Sequence, residues 1–173
     1  CLTHEEAERQ ARRLVPSPHP VRSLEMPTVR LLLDAGAVVV ANGGGGVPMV
    51  DAGDGRLRGV DAVVDKDLAA ALLAVELEVD QLVIFTDVSG VAVDHGGPGE
   101  RWLDRVEPAE LRDLAARGTF GVGSMAPKVE AALRFVEATG NPATIGPLDR
   151  AADALHGRCG TRVVPPGSGS TCR

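Results

Sequence analysis

Two uninterrupted apolar runs, AVVVA at 37–41 and the centre of QLVIFT at 81–86, most constrain how this chain can fold. A strand that is apolar on both faces offers none to water. It belongs inside a sheet that helices cover on both sides. The intervening sequence supplies those helices. SLEMPTVRLLLDAG (23–36) reads as a helix closed by Gly36, and DKDLAAALLAVELEVD (65–80) as a helix with one apolar face. EPAELRDLAARG (107–118), the stretch after GSMAPK (123–128) and PLDRAADALHG (147–157) give three more. PATIG (142–146) and TRVV (161–164) read as further strands, and DAGDGRLRG (51–59) as a hairpin. Thr3 and Glu6 form a capping-box pattern that predicts a short helix over 3–14, and the prolines of VPSPHP (15–20) predict an extended loop. The alternation predicts a parallel sheet with helices on both faces.

The first apolar run empties into Asn42 and four glycines, Gly43, Gly44, Gly45 and Gly46. Neither familiar phosphate motif fits. Pro48 and Met49 stand where a dinucleotide fingerprint needs its third glycine, and no Gly-Lys-Ser/Thr follows. A tight turn needs one glycine. Four in a row at the C-terminal end of a predicted strand allow close backbone approach and leave N–H groups for an anion.

The cations are biased. Of 18 Lys and Arg residues, 16 are Arg, and the two lysines are Lys66 and Lys128. Both fall at the start of predicted helices, the second after Ser124, a candidate cap, and Pro127. A cation there opposes the helix dipole by about 0.3–1 kcal/mol, and a bound anion reverses the sign. The bland alternative is two solvated surface charges. Asp65 and Asp67 flank Lys66: one can cap the helix, and the other can orient the lysines or help hold magnesium. Thr86 and Asp87 end the second apolar run, where they can meet a ribose or a metal, or form a turn with Gly90. Met125 can lie over a base or simply fill the core. Glycine backbone, two lysines and a carboxylate at one sheet edge suit phosphoryl transfer, which needs positioning and charge stabilisation.

Composition narrows the classes. A net charge of −6 without a basic stripe argues against nucleic acid, and no run is long enough to cross a membrane. Cys1, Cys159 and Cys172 are few and scattered, as expected of a protein in a reducing cytoplasm. The first residue is Cys, which suggests a missing upstream segment.

In order, VPSP, NGGGGVP, GVDAVVDKDLAA, FTDVSGV, WLDRVEPAELR, GSMAPKVEAALRFVE and GTRVVP resemble the second half of carbamate kinase, of the amino acid kinase superfamily. The resemblance runs from near residue 3 to about 165. It implies a three-layer α/β/α sandwich with a mainly parallel sheet, divided as a connecting segment (1–20), a nucleotide-binding lobe (21–165) and a flexible tail (166–173). It implies ATP, ADP and Mg2+, with carbamate and carbamoyl phosphate as substrates in arginine breakdown, and a homodimer in the complete protein. Carried over by position, Lys66 and Lys128 touch the transferring phosphates and Asp67 organises them. Gly43, Gly44, Gly45 and Gly46 line the carbamate and phosphate pocket. Asp65, Thr86, Asp87, Val88 and Met125 lie on the nucleotide side. The family's first strand and its GGNA-like loop have no counterpart here. The stretch joining EEAERQ to ARRLVPSP is shortened, and His19 and Arg22 stand where the family often has a lysine. The expectation is half a site, weak or no turnover, and a chain that self-associates or is poorly stable.

Overall fold

The computed structural model describes residues 15–120 and 124–168, so the helix expected over 3–14 lies outside the described residues. At the centre is a four-stranded sheet in the order β3 (Leu82–Thr86), β7 (Ala143–Pro147), β8 (Thr161–Val163), β6 (Arg105–Val106). Two hairpins flank it: β1 (Met49–Asp51) with β2 (Leu57–Gly59), and β4 (Val91–Val93) with β5 (Arg101–Leu103).

The β3–β7 pair is parallel and in register, with Leu82 opposite Ala143 and Ile84 opposite Ile145. All four side chains enter one core with helices α2 (Lys66–Glu76) and α4 (Met125–Thr139). Those helices pack closely because their facing positions are small: Ala71, Ala131 and Ala132 are at most 1% exposed. Helix α3 (Pro108–Ala116) contributes Leu111 to the same core as Phe135 of α4, both fully buried. On the opposite face, a Cβ at Gly146 would meet Ala154 of α5 (Ala151–Leu155), so the sheet is covered from both sides.

The sheet is mixed rather than wholly parallel, because β8 runs antiparallel to β7. A parallel return needs a crossover of a dozen or more residues, usually built on a helix that runs the length of the strand. The 148–160 connection is at the lower end of that length and holds only a 3-10 turn (Leu148–Arg150) and the five-residue α5, an advance of roughly 7 Å. The chain re-enters at the end it left. Helix α1 (Met26–Asp34) fulfils its expectation, with Gly36 left-handed just beyond its C-terminus.

The first apolar run departs most from expectation. Residues 37–41 form no strand, and Val38 and Val40 are 95% and 94% exposed. A doubly buried strand needs neighbours on both edges, and among the described residues none pairs with it.

Candidate functional site

Asp65 caps helix α2, its Oδ1 accepting from the N–H groups of Asp67 (2.8 Å) and Leu68 (3.1 Å). Asp65, placed on the nucleotide side by resemblance, thus has a capping role, and it occupies two donors that an anion would otherwise use. Helix α4 begins differently. Ser124 makes no side-chain capping bond, so the expected serine cap is absent.

Lys66 and Lys128 converge on one atom. Asp67 Oδ2 accepts from Lys66 Nζ at 3.2 Å and from Lys128 Nζ at 2.9 Å. The Lys128 side chain is 5% exposed and that of Asp67 9%, whereas that of Lys66 is 58% exposed. Lys128 is therefore no solvated surface charge. One lysine is fixed in the protein and the other reaches into solvent from the same carboxylate. Partial burial depresses the Lys66 pKa, but the Asp67 hydrogen bond, its charge and that of Asp65 outweigh this, and the net shift is upward.

The glycine turn docks beside this cluster. Asn42 is left-handed (φ 63°), its carbonyl accepts from Gly45 N–H at 2.9 Å, and its Nδ2 donates to the Ala69 carbonyl in the first turns of α2 at 3.4 Å. Gly45 is buried at φ 118°, and a Cβ there would stand 2.1 Å from the Val64 carbonyl oxygen. Gly43 and Gly46 also take positive φ but face open space, and Gly44 needs neither. The four glycines thus do different jobs, and Gly45 sets how closely the turn approaches the chain entering α2. Gly45→Ala is expected to cost more than the about 1–3 kcal/mol of strain at an unfavourable φ, because its Cβ also overlaps the Val64 carbonyl oxygen. Gly44→Ala is expected to be nearly neutral. Equal midpoints for the two in urea unfolding would show that the close approach is not constraining. Beyond the turn, a cleft of about 450 Å³ opens between Val47, Pro48, Arg58, Gly59, Val60 and Asp61.

Thr86 ends β3 8% exposed and its hydroxyl donates to Asp87 Oδ1 at 3.2 Å. Val88 follows, half-buried. Among the described residues no hydrogen bond links these three to the lysine cluster. Met125, the first residue of α4, packs against the core, in keeping with the gap-filling reading. Asn42 was not singled out by sequence reasoning. Its one signal is an Asn directly before a glycine run, a residue type that tolerates left-handed backbone.

The profile of the Amino acid kinase family matches residues 2–146. The chain is 49% identical over 160 residues to a carbamate kinase of Thermococcus kodakarensis, covering 92% of this chain and 50% of that protein. It is 43% identical over 162 residues to a carbamate kinase of Trichomonas vaginalis, covering 93% and 52%. A solved structure of carbamate kinase from Giardia lamblia bound to AMP-PNP superposes with a TM-score of 0.84 at 42% identity, over 88% of this chain and 53% of that one. The chain thus spans about half the length of the curated relatives it matches. The match covers the glycine turn, both lysines and the carboxylate between them, and the chain belongs to the amino acid kinase family.

Proposed function

We propose that this chain carries the phosphate- and nucleotide-holding half of a carbamate kinase-type site, exchanging a phosphoryl group between ATP and carbamate. In that step the bond from the γ-phosphorus to the ADP oxygen breaks and one forms to a carbamate oxygen, giving carbamoyl phosphate. The observation that carries the reading is the single Asp67 oxygen holding both lysines beside the glycine turn. Lys128 supplies a charge already in place, so little reorganisation accompanies the transfer. Lys66 supplies a solvent-facing charge, held on the same carboxylate, that can meet the phosphoryl group. Thr86, Asp87 and Val88 face the nucleoside end. No three His, Cys, Asp or Glu side chains gather into a metal cluster among the described residues. A Mg2+ accompanying ATP would rest mainly on phosphate oxygens and water, as Mg2+ commonly does. On this reading the reaction belongs to arginine breakdown, runs toward ATP, and is cytoplasmic.

The coverage of about half of each relative favours a second reading, nucleotide binding with little turnover. Half a site cannot stabilise both ends of an in-line transfer. Calorimetry with ADP is expected to show binding to the wild-type chain, and Lys66→Ala to weaken it about 10–100-fold through loss of charged hydrogen bonds. A folded chain that binds no ADP would remove both readings. In a coupled assay with ADP and carbamoyl phosphate, turnover is expected to be weak or absent. Turnover like that of a complete carbamate kinase would rule out the half-site reading.

A further inference from the structure

Thr161 is fully buried at the start of β8, far in sequence from every residue assigned above. Its hydroxyl accepts from Val91 N–H at 2.8 Å and donates to the Leu103 carbonyl. Val91 and Leu103 face one another in register across the β4–β5 hairpin. One hydroxyl therefore bridges both strands of that hairpin and ties them to the central sheet, where Thr161 itself pairs with Ile145. The neighbouring residue makes room for it. A Cβ at Gly90 would lie 2.8 Å from Thr161 Oγ1 and 3.0 Å from its backbone nitrogen.

The consequence falls on residues 87–90, which join β3 to β4. Pairing of β3 with β7 holds one end of this loop through Thr86, opposite Pro147. Thr161 holds the other end through Val91 N–H. Asp87 and Val88 lie between the two anchors. We infer that Thr161 is a positioning residue for the nucleoside end of the site: it acts through the β4–β5 hairpin, touches no substrate, and fixes the path of Asp87 and Val88. This rests on the proposed nucleotide reading. Valine at 161 would keep the shape but leave the Val91 N–H and Leu103 C=O unpaired in a buried place, which favours their moving apart toward water. Serine would keep the hydroxyl.

The test separates the two ends of the nucleotide. Wild type, Thr161→Val and Thr161→Ser are titrated calorimetrically with ADP and with inorganic pyrophosphate, which probes the lysine end alone. Circular dichroism and thermal melting confirm that each is folded. The expected result is that Thr161→Val weakens ADP binding at least 10-fold and pyrophosphate binding less than 3-fold, while Thr161→Ser stays within 3-fold of wild type for both. If Thr161→Val binds ADP like wild type, or loses both ligands in equal proportion, the positioning role is overturned. If Thr161→Val does not fold, Gly90→Ala, which crowds the same hydroxyl, must give the split between ligands or the role is overturned. Wild type that binds pyrophosphate but not ADP overturns this inference while leaving an anion site. Wild type that binds neither overturns the proposed function with it.

Discussion

Asp67→Asn is expected to destabilise the folded chain by about 3–5 kcal/mol, because it strands Lys128 as a buried, uncompensated charge. For a chain of this size that lowers the melting temperature by roughly 6–20 °C. The burden falls on Lys128 rather than Lys66. The Lys66 side chain is more than half exposed and turns to water when its partner is neutralised, whereas the Lys128 side chain, 5% exposed, cannot. The decisive measurement is a double-mutant cycle with Lys128→Met in urea. If the pair is a buried unit, Asp67→Asn/Lys128→Met is markedly less destabilised than the two single effects added, since no charge is left buried without a partner. Additive losses would mean that Asp67 acts through something other than Lys128. A smaller signature accompanies this at high pH. The raised Lys66 pKa contributes stability that is fully present below the ordinary lysine pKa and is lost as pH rises through the raised value. In Asp67→Asn that part of the alkaline decline shrinks.

This pair also shows how far the site could be read from sequence. The scarcity of lysine against arginine singled out both residues, and helix-start patterns placed them at two N-termini. Their meeting on one oxygen depends on the close α2–α4 contact, which rests on alanines that carry no chemical signal of their own. The capping assignments divided for a similar reason. Asp65 has the extended backbone usual at an N-cap, with φ −66° and ψ 131°, whereas Ser124 is already helical (φ −68°, ψ −14°) and its hydroxyl accepts from none of the N–H groups that follow it. Thr161 gave no local signal at all. Its importance comes from two hydrogen bonds to a hairpin about 60 and 70 residues earlier.

The fold was legible wherever a segment's pattern matched neighbours that exist among the described residues. QLVIFT and PATIG became a register-matched parallel pair, and the helices between them kept their apolar faces inward. Short elements escaped notice: β4, β5 and the two-residue β6 carry too few residues for a period to emerge. The stretch expected to be one helix from 147 to 157 splits into a 3-10 turn and a short α-helix, with Arg150 at φ −121° breaking the continuity.

AVVVA is the opposite case, a strongly patterned segment with which no strand pairs among the described residues, and it carries the second large prediction. Residues 37–41 contain no charge, proline or glycine, the devices that normally blunt an edge. Val38 and Val40 are exposed almost completely, and Leu31 at 68% and Val47 at 81% are exposed apolar side chains as well. The run is also palindromic. Antiparallel pairing of two copies about Val39 sets each Val38 opposite a Val40, which is the self-complementary arrangement a two-fold interface requires. The chain is therefore expected to associate with itself through this segment, with each valine removed from water contributing about 1–2 kcal/mol. Sedimentation velocity over a concentration series is expected to show a growing dimer population for wild type. Val38→Lys/Val40→Lys is expected to remain monomeric, because two like charges would then meet across the pair. A wild-type chain that stays a monodisperse monomer at every concentration, or a double variant that dimerises as wild type does, would show that this segment does not pair with a second copy. A longer chain whose additional residues cover 37–41 should lose the dimer formed through it, without any substitution.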